Sequence, residues 1–224
     1  MAWLPLAAVD EEHAFAGQLV NRHDVMTPTP LASSLRLIFE THATSLDNEV
    51  GLASGWFDVA LSATGEEQAR TLGARRRDDQ LAVVFCSDLS RSFRTAEIAF
   101  GDRSVPIIRD ARLRECDYGD LTRQPRSEIE QRRVRHLVEP FPNGESYQQV
   151  VDRVREWLNE ALRNVDAGTV LVIGHRATHY ALEHLLNQVT LEQAVTSAWT
   201  WQPGWTYHLP EEGSPAGAPR AARE

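Results

Sequence analysis

Three short apolar runs in this 224-residue chain each end on residues that can handle an anion. Leu35 to Phe39 runs into Thr41-His42, and Ala82-Val83-Val84-Phe85-Cys86 runs into Ser87-Asp88-Leu89-Ser90-Arg91. Val170-Leu171-Val172-Ile173 runs into Gly174-His175. An imidazole serves as nucleophile or base, and a guanidinium offers a planar fork of donors to an oxyanion. Glu115, in the loop Leu113-Arg114-Glu115-Cys116-Asp117-Tyr118-Gly119, adds a group able to give and take a proton. Taken singly each signal is weak: a histidine after a strand is more often structural, Arg91 reads equally as a helix-surface charge, and Glu115 as an ordinary loop acid. Their shared placement changes that. In an open parallel sheet, ligands bind beyond the carboxyl ends of the strands. Two histidines and an arginine then meet at one edge.

The elements that must position them follow from hydrophobic periodicity. The three runs are short, rich in β-branched residues and continuous rather than alternating, as expected of strands buried on both faces. Ser62-Ala63-Thr64-Gly65-Glu66-Glu67 carries a hydroxyl cap and first-turn acids, and predicts a helix through Gln68 to Arg77. From Ser146 to about Val165, Val150, Val151, Val154, Trp157, Leu158, Ala161 and Leu162 recur with the period of an amphipathic helix. Ala177 to Leu186 predicts another helix. Strands alternating with helices imply βαβ units, hence an α/β fold with a mostly parallel central sheet. The alternation of Trp199, Trp201, Trp205 and Tyr207 with polar residues predicts a final strand, with one of these rings or Trp56 as a lesser candidate for a pocket wall. Residues 1–34 are expected to be an extension with a Thr27-Pro28-Thr29-Pro30 linker, residues 35–210 the main domain and residues 211–224 a flexible tail.

Composition narrows the function. A net charge of −9 and a pI near 5.4 argue against a nucleic-acid binder, which needs a basic face. The run Arg75-Arg76-Arg77 reads as a solvated helix end, so a site for phosphates must gather its positive charge in a pocket. Cys86 and Cys116 lack metal-ligand spacing and a disulfide framework, and Cys86 reads as a core residue. No stretch approaches the ~20 apolar residues of a membrane span, and the N-terminus lacks the regions of a secretory signal. A cytoplasmic location is expected, with no nucleic acid, membrane, metal or cofactor. A homodimer is left open.

With these residues in place the sequence resembles the histidine phosphatase superfamily, the phosphoglycerate-mutase-like family. The resemblance rests on Thr41-His42-Ala43 with Asn48 following, on Gly55-Trp56-Phe57-Asp58-Val59-Ala60-Leu61-Ser62, and on Ser87-Asp88-Leu89-Ser90-Arg91-Ser92-Phe93-Arg94-Thr95-Ala96. It continues through Leu113-Arg114-Glu115-Cys116-Asp117-Tyr118-Gly119, Pro142-Asn143-Gly144-Glu145-Ser146 and Gly174-His175, so that it covers roughly Leu35 to Leu209. It implies a three-layer sheet flanked by helices. It also implies a phosphomonoesterase acting on a small phosphorylated metabolite without a metal. His42 would be the phosphoryl-accepting nucleophile, with Arg91 and a cationic His175 holding the phosphoryl oxygens. Glu115 would protonate the leaving oxygen, then activate water. Asn48, Ser54, Arg94 and Arg176 are the implied phosphate-binding positions.

The departures from the pattern are local. Thr41 and Ala43 stand where the family has arginine and glycine, Thr44 where it usually has an acid, and Arg176-Ala177 where it usually has small residues. Arg176, Arg94 or Arg114 is then expected to supply the missing cation. The alternatives are a site drifted to another substrate, a phosphomutase, or a silent relative that binds a phosphorylated ligand or a protein partner. The segment from Gly119 to Pro142 is modest, which favours hydrolysis over retained transfer.

Overall fold

The computed structural model describes residues 35–209, apart from 162, 164, 166 and 167. The expected extension, the expected tail and Leu162 lie outside the described residues. Strands β1 (Arg36–Thr41), β2 (Leu81–Cys86), β3 (Ile107–Arg109), β4 (Thr169–Gly174) and β5 (Trp205–His208) form one sheet in the order β3-β2-β4-β1-β5. The first four are parallel and β5 is an antiparallel edge on β1. The helices that position the site are α1 (Leu46–Glu49), α2 (Ala63–Arg75), α3 (Ser90–Phe100), α4 (Arg126–Arg132), α5 (Tyr147–Ala161), α6 (Arg176–Leu186) and α7 (Leu191–Thr196).

Successive strand residues point to opposite faces, and here both faces are covered. Leu37, Phe39, Val83, Phe85, Val170 and Val172 pack with residues of α5 and α6, including Trp157, Val154 and Tyr180. Ile38, Val84, Cys86, Leu171 and Ile173 pack instead with Leu72 of α2 and with Ala96 and Phe100 of α3. The three layers expected from the continuous apolar runs are therefore present.

Local chemistry starts the helices where expected. The Ser62 hydroxyl accepts the Gly65 amide at 3.1 Å and caps α2. Gly65 also meets the backbone of Thr44 so closely that a side chain there would strike the Thr44 carbonyl. That close approach presses α2 against the loop after β1.

Two readings are corrected. Arg75 and Arg76 are not a merely solvated helix end: both reach Glu40, which is 2% exposed on β1, at 3.0 and 2.7 Å. A buried carboxylate without such partners would be costly, so these cations serve the fold. The final strand begins only at Trp205, and Trp199 and Trp201 precede it in irregular backbone. Trp199 leaves the strand path to stack beside Trp205 and His179, with ring centroids 5.1 and 5.3 Å away.

Candidate active site

The parallel register sets the three strand tips side by side. Thr41 pairs with Gly174 and Cys86 with Ile173, and the His42 amide continues the ladder to the Gly174 carbonyl at 2.9 Å. Beyond these tips lies a cavity of about 330 Å³. His42, His175, Arg91, Glu115, Asn48, Ser54 and Arg176 all line it, so the structure brings seven of the eight sequence-predicted residues together. Thr41 is on the wall as well.

Arg94 is the exception. It sits on the outer face of α3, half exposed and paired with Glu97 at 2.6 Å, and does not line the cavity. Three residues on from Arg91 it was expected at the same site, but Arg91 is the one the helix turns inward. Arg114 is also spoken for, since it grips Asp88 through two hydrogen bonds of 2.7 and 2.6 Å and lies over Trp56.

His42 is half-buried, and its ring stands 4.8 Å from that of His175. His42 Nδ1 lies 2.7 Å from the Ala43 carbonyl oxygen, a contact that requires the proton on Nδ1. Nε2 then carries the lone pair. Burial first, then the Arg91 charge, lowers the His42 pKa to about 3, while the Ala43 carbonyl works weakly the other way. The ring is neutral at ordinary pH, with a free lone pair on Nε2. The residue that orients it is held on both sides. The Thr44 amide, in the same peptide as the Ala43 carbonyl, donates to Gln68 Oε1 at 2.9 Å. The Ala43 amide, one peptide earlier, donates to Thr95 Oγ1 at 3.0 Å, a hydroxyl that donates in turn to the Arg91 carbonyl at 2.7 Å. One residue of α3 thus ties the nucleophile loop to the helix that carries Arg91.

Arg91 is 2% exposed and forms no ion pair among the described residues. Its guanidinium donates to the carbonyls of Gly55 at 2.8 Å and Phe57 at 3.1 Å. Gly55 adopts φ +51°, a conformation that costs glycine little and curls this loop around the guanidinium. Asp58 from the same loop accepts the Ser90 amide and hydroxyl, each at 2.7 Å, and so fixes the start of α3. Carbonyls solvate the cation without neutralising it, so its charge remains available to an anion.

His175 is 1% exposed and neither ring nitrogen has a partner. Its pKa lies well below the usual histidine value, chiefly through burial and then through Arg91 and His42. The expected imidazolium is therefore corrected to a neutral imidazole. Buried polar atoms without partners are rare, and this ring lines the cavity beside a buried cation. An oxyanion would accept the one N–H of the neutral ring.

Glu115 Oε1 accepts the Cys116 amide at 2.8 Å and the Ala177 amide, from the first turn of α6, at 3.2 Å. Oε2 takes no bond among the described residues and lines the cavity side of the group. The Glu115 carbonyl is clamped by Arg153 at 2.9 Å and Trp56 Nε1 at 2.7 Å, and Arg153 is paired with Glu145 at 3.0 Å. Asn48 caps α1 reciprocally with Ser45, which uses its Oδ1 and leaves its amide nitrogen unpaired among the described residues. Ser54 donates its hydroxyl to Asp47 at 3.1 Å, which commits its one proton. Arg176 donates to Glu130 at 3.0 Å and Tyr180 at 3.1 Å, with its guanidinium 5.3 Å from the Trp199 ring.

Several residues that support or wall the site escaped sequence reasoning. Thr95, Arg153 and Glu145 stand within recognised segments but gave no sign of their partners. Tyr118, Tyr147 and Tyr180 form aromatic wall together with Trp199, one of the rings the sequence offered as a lesser candidate for it, and Arg126, Ile129, Glu130 and Arg133 come from α4 and the residue after it. A seven-residue, mostly charged helix has no apolar stripe to announce it.

The sequence profile of the histidine phosphatase superfamily (branch 1) matches residues 37–201, and the chain belongs to that family. Among its relatives, the uncharacterized phosphatase PhoE of Bacillus subtilis (strain 168) is 34% identical over 128 residues, 57% of this chain and 65% of PhoE. The 2,3-bisphosphoglycerate-dependent phosphoglycerate mutase of Cytophaga hutchinsonii is 29% identical over 168 residues, 70% of this chain and 79% of the mutase. The solved structure of Bacillus stearothermophilus YhfR superposes with a TM-score of 0.69 at 26% identity, covering 80% of this chain and 97% of YhfR. Relatives of both kinds, phosphatases and mutases, share the fold and the family.

Proposed function

We propose that this protein is a phosphomonoesterase that cleaves small phosphorylated metabolites through a phosphohistidine on His42. The observation that carries the reading is the neutral His42, its Nδ1 proton held by a backbone carbonyl, on the wall of an anion pocket that it shares with Arg91 and the unpartnered ring of His175. In the first step His42 Nε2 attacks phosphorus and the P–O ester bond breaks. The proton of Glu115 goes to the departing alkoxide, yielding the free alcohol. In the second step water attacks phosphorus, the P–N bond breaks and Glu115 takes back a proton as inorganic phosphate forms. Arg91, His175 and the Asn48 amide hold the equatorial oxygens through both steps, so that the charge of the transition state meets donors already in place. Thr41 contributes no charge, and Arg91 is the cation at the floor.

Hydrolysis is favoured over mutase-type retention because Arg126 and Glu130 on the cavity rim are solvent-exposed and leave water a path to the phosphoenzyme. The test is a panel of metabolite phosphates assayed for released phosphate, with acid-quenched and base-quenched samples searched for phosphohistidine. Release of phosphate by the parent protein, an acid-labile and base-stable phosphoenzyme, and loss of both in His42→Ala are expected. Undiminished release by His42→Ala would sink the assignment. Absence of release across the panel would favour a silent ligand binder.

A further inference from the structure

One buried charge beside the cavity has no part in the proposed chemistry. Asp47 on α1 is 3% exposed and stands one residue before Asn48, which lines the cavity. Its Oδ2 accepts the hydroxyl of Ser54, a second wall residue, at 3.1 Å. A carboxylate this close works against an anion pocket. Its field reaches Arg91: burial lowers the Arg91 pKa first, while Glu115, Asp58, Tyr118 and Asp47 act in the other direction. A single hydroxyl does not compensate a buried charge.

The compensation comes from Arg123. Its Nη2 donates to Asp47 Oδ1 at 3.1 Å, the one ion pair of Asp47 among the described residues. Neither member of the pair lines the cavity. Arg123 belongs to the loop before α4, which is stitched to the loop after α1. The Arg123 amide donates to the Ala53 carbonyl at 2.7 Å, and the Ala53 amide to the Gln124 carbonyl at 2.9 Å. The backbone at Arg123 has φ +63°, a left-handed conformation that glycine adopts freely and arginine only with strain. Glycine would serve this turn better, so the strain supports the side chain. That side chain passes over the Phe57 ring, 4.5 Å from its centroid, and ends on Asp47.

We propose that Arg123 is a positioning residue of the phosphate site: paired with Asp47, it keeps the charge behind Asn48 and Ser54 from drawing on Arg91 and from repelling an incoming phosphoryl group. Arg123 touches no substrate and acts only through Asp47. Its side chain is 47% exposed, against 4% for that of Asp47. A dry carboxylate is thus neutralised by a cation still in contact with water, which limits the desolvation that makes buried pairs costly. A pair that only fastened the two loops would behave differently, because losing either partner would loosen the site alike. Neutralisation gives the two partners opposite signs. The proposal rests on the anion-pocket reading of the site and is measurable without turnover.

The experiment measures the affinity for inorganic phosphate by calorimetry in the parent protein, in Arg123→Gln, in Asp47→Asn and in the variant carrying both changes. Arg123→Gln leaves the buried carboxylate unopposed and should bind phosphate about tenfold more weakly, the scale of one unit charge acting through partly hydrated protein. Asp47→Asn removes the charge, keeps the shape of the side chain and should bind phosphate at least as tightly as the parent. The double variant should return to within about twofold of the parent. Parent-like affinity in Arg123→Gln, weaker binding by Asp47→Asn, or no recovery in the double variant overturns the proposal. If Arg123→Gln does not fold, Asp47→Asn and the double variant decide by the same criteria. An aryl phosphate assayed on the parent separates the two ideas. Phosphate binding without hydrolysis would refute the phosphatase reading and leave the role of Arg123 standing, whereas a parent that binds no phosphate overturns both.

Discussion

Replacing Thr95 by valine keeps the shape of a side chain that is 1% exposed and removes only its hydroxyl. The hydroxyl accepts the Ala43 amide at 3.0 Å, the one hydrogen bond of that donor among the described residues. An orphaned buried amide costs about 1–3 kcal/mol. For a chain of this size each kcal/mol lowers Tm by about 2–4 °C, so the melting point should fall by roughly 2–12 °C. The larger effect falls on the chemistry. The Ala43 carbonyl holds the His42 proton on Nδ1, and the Thr95 bond fixes the preceding His42–Ala43 peptide, so its loss lets residues 42 and 43 shift and the ring turn. Displacement of a reacting atom by about 1 Å costs on the order of a hundredfold in rate. Thr95→Val should therefore lose ten- to a hundredfold in kcat with little change in KM, measured as phosphate release under saturating substrate. Thr95→Ser restores the acceptor and should recover most of the rate while still melting slightly lower for its missing methyl. If valine and serine variants turn over alike, Thr95 does not position the nucleophile.

Glu115→Gln should slow an alkyl phosphate far more than an aryl phosphate, because a good leaving group departs without a proton; equal losses in kcat for both would mark Glu115 as structural. Acid should weaken the fold through His42. Its folded pKa near 3 lies below the ordinary 6.5, so between those values the unfolded chain binds more protons and stability falls as pH falls. Between pH 7 and pH 5 this amounts to about 2 kcal/mol for a fully dry ring and about 1 kcal/mol for one half-buried. Denaturant unfolding of the parent and of His42→Asn at both pH values should show the parent losing that much more, and parallel losses would refute the burial argument.

The sheet was legible because its strands obey a simple rule. β1, β2 and β4 are buried on both faces, so their sequences are continuous apolar runs, and the chemistry follows at each carboxyl end. β3 has three residues, two of them exposed, and carries no comparable pattern. Residues whose role depends on one strand tip, such as His42 and His175, could be placed from sequence. Residues whose role depends on a partner far along the chain could not. Arg94 and Arg91 look alike as text, and only the packing of α3 on the sheet decides which one is buried. Arg75 and Arg76 looked like surface charges because Glu40, their partner 35 residues earlier, reads as the polar end of a strand. The protonation of His175 depended on a desolvation that no motif expresses.

Arg91 gives the site a further property. A guanidinium solvated only by carbonyls, beside an imidazole with two idle nitrogens, is a core with its counter-ion left out. The folded chain bears that cost alone until an oxyanion arrives, and then ligand binding and folding draw on the same free energy. Inorganic phosphate, the product expected of the proposed reaction, would then act on the fold as well as on the chemistry, and added phosphate is expected to raise the melting temperature.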